Sequence, residues 1–308
     1  AASYTLRALR TSHMNISVGL GMLAGVSIWS LCIVHGTQYP TETETATCHC
    51  SLLQDVSIST SRHEASDLYK QLANDPHIDP SGLAVHIGSQ IRDMVPFEHA
   101  YSALLALAIK LRDAGLPVPN LDLGGGVGVD YTTAGPTDFS EYGALIERMF
   151  SGQGFKLGFE PGRSIVANNG VLVTRVIYVK QGDNKRFIIV DAAMNDLIRP
   201  TLYEAHHAIW PLNETGIPVG RADIVGPVCE TGDYLGLNHE MPDLAAGDGL
   251  AVLSTGAYGA SMASSYNSRS PAAEVMVIDG TAHLLRPART IEDYINDETI
   301  PHFPSMPS

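Results

Sequence analysis

Glu160, Gly162 and Arg163 share the run Phe159-Glu160-Pro161-Gly162-Arg163, and their types suit a small anionic ligand. A carboxylate at a strand end stands where α/β folds place chemistry. Pro161-Gly162 turns the chain there, and glycine lets backbone approach a ligand closely. Arg163 adds a planar fork matched to phosphate or carboxylate. Gly124-Gly125-Gly126 exposes backbone N–H groups able to cradle a phosphate. Three glycines in a row cost conformational entropy, which weighs against a purely structural reason for them. His86, Ser89 and Gln90 close another strand. A lone histidine there is commonly a satisfied core residue, but beside Ser89 and the glycine loop it becomes a candidate cofactor contact. Further along stand Met194 to Pro200 with Tyr203, Gly226 to Asp233 with Cys229 and Glu230, and Gly256-Ala257-Tyr258-Gly259. Taken singly, these read as a turn arginine, a buried thiol and a turn tyrosine.

The elements that hold these groups follow from periodicity. Glu64, Ala65, Leu68, Tyr69, Leu72 and Ala73 fit an amphipathic helix that ends before Asp75-Pro76. Residues 82–88 read as a short apolar strand and 97–114 as a second helix stopped by Gly115. Leu121-Asp122-Leu123 is the next strand and runs straight into the glycines. A helix at about 138–150 leads to the strand that carries Glu160. Such alternation means a parallel sheet with right-handed crossovers. After Arg163 it stops, and 171–179, 186–191, 223–228, 249–254 and 274–279 read as strands of a separate, antiparallel all-β domain. The expected fold is α/β plus all-β: a partial (β/α) barrel of the TIM type followed by a C-terminal β-sandwich or barrel. The segments are 1–60 (unmatched and disordered in reading), 61–168 (the partial barrel), 169–297 (the β domain) and 298–308 (a tail).

Bulk properties narrow the function. The 308 residues have room for two domains, with 44% apolar and 17% charged residues. A net charge of −14 repels nucleic acid and anionic membranes. The four cysteines are too few for a disulfide scaffold, and Cys48-His49-Cys50 lacks a second ligand pair, so no metal site is assigned. A reducing cytosol is the default. Ile16 to Val34 carries no charge and follows Arg7 and Arg10, as an anchor would. Its Gly, Ala, Ser and Cys content makes it only moderately hydrophobic, and a poorly matched N-terminus is the preferred reading over a membrane span.

Six blocks in order carry a resemblance: G-L-A-V-H-I-G-S-Q-I, L-D-L-G-G-G-V-G, F-E-P-G-R-S-I-V, M-N-D-L-I-R-P-T-L-Y, G-P-V-C-E-T-G-D and G-A-Y-G-A-S-M-A-S-S-Y-N-S-R. Over residues 62–297 the chain resembles the fold-type III pyridoxal-phosphate-dependent decarboxylases, and within them the diaminopimelate decarboxylases. The resemblance implies pyridoxal 5'-phosphate as cofactor, meso-diaminopimelate as substrate, lysine as product and a cytoplasmic homodimer with shared active sites. It implies that His86 stacks on the pyridine ring, Ser89, Gly125 and Gly126 hold the phosphate, and Glu160 pairs with the pyridinium nitrogen. Gly162 and Arg163 fall to the phosphate and substrate site. Arg199, Tyr203 and Glu230 fall to the distal end of the substrate, and Tyr258 to cofactor and substrate. Cys229, from the partner subunit, delivers the proton after carbon dioxide leaves.

The family also builds a Schiff base on a lysine in an early strand, in a motif like A-V-K-A-N. The lysines here are Lys70, Lys110, Lys156, Lys180 and Lys185, none in such a motif. Lys156 precedes Glu160 by ~13 Å of strand, toward the wrong end of a barrel. Residues 62–163 hold three or four of the eight βα units a barrel needs. The chain therefore reads as a decarboxylase that has lost its front. The alternative is a non-catalytic relative acting as a binding or dimerisation module.

Overall fold

The computed structural model describes residues 62–301 apart from 76–78, 81, 133–136 and 214–216, together with short strands between Tyr4 and Ile58. The chain divides into two compact units, residues 1–128 with 137–164 and residues 129–136 with 165–308. Among the described residues no helix is long and apolar enough to cross a membrane. The uncharged stretch 16–34 lies mostly outside them.

In the first unit, strands β1 (Leu31–Cys32), β2 (Gly82–Ala84), β3 (Asn120–Asp122) and β4 (Lys156–Gly158) form one parallel sheet in chain order. Helices α1 (Arg62–Ala73), α2 (Met94–Asp113) and α3 (Ser140–Phe150) supply the crossovers. Chain-order parallel pairing with a helix between successive strands is barrel-type winding. The second helix begins at Met94, three residues before the predicted start. Asp93 caps it by accepting the Val95 N–H at 2.9 Å, and Pro96 is tolerated in a first turn, where N–H groups have no helical partner. The core is one cluster in which Phe97, Tyr101, Leu104 and Leu111 of α2 pack with Leu83 and Leu121. The Tyr69 hydroxyl donates toward the carbonyls of Pro80 (2.8 Å) and Pro117 (2.6 Å), tying α1 to the approaches of β2 and β3. Arg112 does the same for the last turn of α2, donating to Val118, Gln153 and Gly154 carbonyls at 2.9–3.1 Å.

The second unit is built on a six-stranded sheet. Its strands are β5 (Leu172–Gln181), β6 (Arg186–Val190), β7 (Ile209–Pro211), β8 (Gly220–Val225), β9 (Tyr234–Met241) and β10 (Gly249–Val252), in spatial order β7-β10-β5-β6-β8-β9. Strands β11 (Glu274–Ile278) and β12 (Thr281–Arg286) form a separate hairpin. Alternation is clear in β6, where Arg186, Ile188 and Val190 are buried and Phe187 and Ile189 are half-buried.

Several expectations need correction here. The sheet is mixed, not antiparallel, because β6 pairs with β8 in parallel. The strand expected at 223–228 ends at Val225, and residues 226–228 lead into a turn. Strands β7, β9 and β12 carried weak signals. β7 has three residues ending in proline, and β9 contains Gly236 and Asn238, the latter at φ 60°. β9 accordingly pairs with β8 through register shifts. Short helices also interrupt the all-β reading, α5 (Arg199–Tyr203) and α6 (Ile291–Asn296), and α4 (Arg163–Val166) precedes it.

Candidate functional site

The first unit brings His86, Ser89, Gly125, Gly126, Glu160 and Arg163 to one end of its sheet, the ends of β2, β3 and β4. Backbone bonds carry the pairing beyond the strands. Val85 N–H donates to Asp122 O at 2.9 Å, Leu123 N–H to Gly158 O at 2.9 Å, Glu160 N–H to Gly124 O at 2.8 Å and Ile91 N–H to Gly126 O at 2.9 Å. The Asp122 carboxylate accepts the Gly124 N–H at 2.8 Å, bending the chain out of β3.

This close knitting explains the three glycines. A Cβ on Gly124 would stand 2.1 Å from the carbonyl oxygen of Val85, on Gly125 2.2 Å from that of Glu160, and on Gly126 2.3 Å from that of Gly88. Gly124 and Gly126 also hold φ of +68° and +97°, which side chains rarely adopt. A steric reason therefore suffices for all three, against the sequence argument that a purely structural reason is the weaker one. The Gly125 N–H faces His86 Nδ1 across a long 3.4 Å contact, so this nitrogen of His86 is an acceptor. Gly162 differs: a Cβ there meets nothing within 4 Å, so protein packing does not demand glycine.

Arg163, half-buried, directs its fork at Ser89, with Nε 3.3 Å and Nη2 3.1 Å from Ser89 Oγ. These residues lie 74 positions apart in sequence. The exposed Glu160 stands on the chain segment between β4 and Arg163. The donor set is a hydroxyl and a guanidinium with a carboxylate nearby, chemistry that suits a phosphate ester bearing a protonatable ring nitrogen. Within the first unit, none of Lys70, Lys110 and Lys156 falls among these strand ends, and Lys180 and Lys185 belong to the second unit. Lys70 pairs with Asp67 on α1, Lys110 is exposed on α2, Lys156 opens β4, and Lys180 and Lys185 flank the β5–β6 turn.

The second unit gathers the others around α5. Arg199 opens that helix and is 6% exposed, whereas Tyr203 at its end is exposed. The loop 226–233 is fastened to it. Thr201 Oγ1 donates to Gly232 O through a short hydrogen bond, and Tyr234 Oη donates to Pro200 O at 3.2 Å. Cys229 and Glu230 are exposed on this loop, and Cys229 is a free thiol. Glu230 accepts the Tyr266 hydroxyl at 2.8 Å, and that bond, with the glutamate charge, raises the pKa of the phenol. Tyr258 is half-exposed at φ 60°, a strained conformation of the kind that clusters at functional sites.

Residue-by-residue reading missed what shapes these loops. Asp233, 4% exposed, accepts the N–H of Met194 at 2.7 Å and of Val228 at 2.6 Å, joining two of the six blocks through one carboxylate. Arg269 donates to Asn195 Oδ1 at 3.1 Å and to Asp191 O at 2.5 Å. Asp196 accepts from the N–H groups of Ala193 and Ala272, and burial raises its pKa despite them. All three stood inside quoted blocks, which was the available signal. Among the described residues no cluster of three or more His, Cys, Asp or Glu is placed to hold a metal.

The family described as pyridoxal-dependent decarboxylase, C-terminal sheet domain, matches residues 24–256. The diaminopimelate decarboxylase of Zymomonas mobilis is 44% identical over 246 residues, covering 79% of this chain and 58% of that protein. That of Pseudomonas aeruginosa is 44% identical over 237 residues, 77% of this chain and 57% of its own. The crystal structure of diaminopimelate decarboxylase from Helicobacter pylori complexed with L-lysine superposes with a TM-score of 0.73 at 36% identity, over 80% of this chain and 61% of that one. The chain thus spans under two thirds of the length of these relatives. A family match across most of the sequence, on a parallel strand–helix unit followed by a β unit, leads to one assignment: the chain belongs to the pyridoxal-dependent decarboxylases.

Proposed function

We propose that this chain holds pyridoxal 5'-phosphate at the strand ends of its first unit and recognises meso-diaminopimelate through its second, for decarboxylation to L-lysine. The observation that carries the reading is the Arg163 fork on Ser89 Oγ, beside His86 and Glu160 at the ends of parallel strands. When bound, the cofactor supplies an electron sink for the pair left as carbon dioxide departs. Ser89 and Arg163 would take phosphate oxygens, with Gly125, Gly126 and Gly162 leaving backbone close by. Glu160 would hold the ring N–H proton. His86 and Tyr258 would contact the cofactor. Arg163 would also serve the substrate, Arg199 and Tyr203 would bind its distal end, Tyr258 would contact it, and Glu230 would take the distal ammonium. Cys229 Sγ donates the proton that replaces carbon dioxide.

The working assembly is a homodimer in the cytoplasm, with the partial barrel at 61–168 and the β domain at 169–297 as its functional divisions. The exposed Cys229 supports a loop available to a second subunit. Pyridoxal phosphate titration followed by absorbance tests the site. Arg163→Ala is expected to weaken binding about tenfold or more, through loss of a charge-assisted fork. Glu160→Gln should weaken it less, because that change removes only a partner of the ring nitrogen. The reverse order would mean that the turn is not an anion site.

A second reading, binding without turnover, is favoured by the placement of the first unit's Lys70, Lys110 and Lys156 away from these strand ends. Carbon dioxide release from meso-diaminopimelate with excess cofactor separates the two. Release at the rate of the cofactor alone supports the second reading. Enzymatic turnover, with a borohydride-stable adduct on one of the five lysines, supports the first.

A further inference from the structure

Arg199 is buried, and a buried guanidinium needs partners that fix its plane as well as its charge. Two of them lie in the second unit. His207, fully buried, places Nε2 2.7 Å from Arg199 Nη1 and Nδ1 2.8 Å from the carbonyl oxygen of Leu253. A guanidinium only donates and a carbonyl only accepts. Only the neutral ring with its proton on Nδ1 satisfies both. Tyr131 lies beneath the pair, its ring centroid 4.6 Å from Arg199 Cζ and 5.0 Å from the His207 ring, edge to face. The backbone locks the arrangement: Ala208 N–H donates to Tyr131 O at 3.1 Å and Leu253 N–H to Ala208 O at 2.9 Å. Glu204, at φ 51°, turns the chain after α5 so that residue 207 returns to residue 199.

We propose that His207, backed by Tyr131, is a positioning residue that sets the Arg199 fork for the α-amino carboxylate end of the substrate. The inference rests on the reading of Arg199 as a carboxylate-binding residue. A guanidinium swung out of plane keeps its charge but loses bidentate contact, so the effect should fall on ligands that carry a carboxylate.

The test uses the full chain and two probes, L-lysine and cadaverine, which differ by that carboxylate, with affinities from isothermal titration. For His207→Phe, which keeps a ring and removes both hydrogen bonds, L-lysine affinity is expected to fall about tenfold while cadaverine affinity changes by less than about twofold. His207→Gln, whose side-chain oxygen can accept from Arg199, should recover most of the loss. Equal loss for both probes, or none, overturns the proposal. Nitrogen-15 spectra of the unmodified chain give a readout that survives a failed variant: His207 protonated on Nε2 also overturns it. Arg199→Lys tells the two levels apart. If it spares L-lysine binding, or the unmodified chain does not bind L-lysine, the reading of Arg199 falls and this inference with it. If it weakens L-lysine and His207→Phe does not, only this inference falls.

Discussion

Gly125→Ala is expected to destabilise the first unit by about 3 kcal/mol, near the upper end for forcing an extra methyl group into a packed site. The new Cβ would stand 2.2 Å from the Glu160 carbonyl oxygen. Neither side can yield cheaply, since both are backbone and the Glu160 N–H is bonded to Gly124 O at 2.8 Å. Relief requires parting the ends of β3 and β4, which moves Glu160 and the turn toward Arg163. Cofactor binding should therefore fall along with stability. Gly143→Ala is the control: it lies inside α3, where a Cβ meets nothing within 4 Å, and alanine there should stabilise by about 0.5–1 kcal/mol. Urea unfolding followed by circular dichroism, with a cofactor titration of each variant, measures both effects. Equal stabilities for Gly125→Ala and the unmodified chain would show that the strand ends do not approach as described.

Asp233→Ala should cost the second unit about 3 kcal/mol. It removes two charge-assisted hydrogen bonds from a site excluded from water and leaves the Met194 and Val228 N–H groups without their acceptor. The loss is larger than a surface carboxylate would give because Asp233 is the common anchor of the 194–200 and 226–233 segments. Gly226 adds to this, since a Cβ there would stand 2.4 Å from the Asp233 carboxylate; the carboxylate fills the space beside the glycine. Asp233→Asn should fall between, because one amide face donates toward an N–H that also donates. Thermal unfolding gives the energies. Amide hydrogen exchange at Met194 and Val228 gives the locality, and exchange unchanged in Asp233→Ala would refute the anchoring role. Cys229 and Glu230 ride on this loop, so its loosening should also reduce selectivity for the substrate's distal end.

Much of this was legible in the linear chain. Apolar spacing at helical and strand periods located α1 to α3 and the strands between them, because an amphipathic element shows its buried face in its own sequence. The site residues were legible as types in ordered blocks, since fork, hydroxyl, thiol and carboxylate are properties of single residues. What the chain alone hid were relations between distant backbone segments. The triple glycine looked like a phosphate cradle; the collisions with Val85, Glu160 and Gly88 carbonyls exist only once three strands are laid side by side. The parallel pairing of β6 with β8 and the shifted register of β9 depend on partner strands, and local pattern carries no record of them. His207 is the sharpest case: in sequence it is one of two adjacent histidines, and only the return of the chain after Glu204 brings it to Arg199 and Leu253. The ordered blocks carried the resemblance to the family, and residue types gave the candidate groups. Contacts between segments remote in sequence decided why the glycines are needed, which carboxylate anchors the loops, and which imidazole holds the arginine.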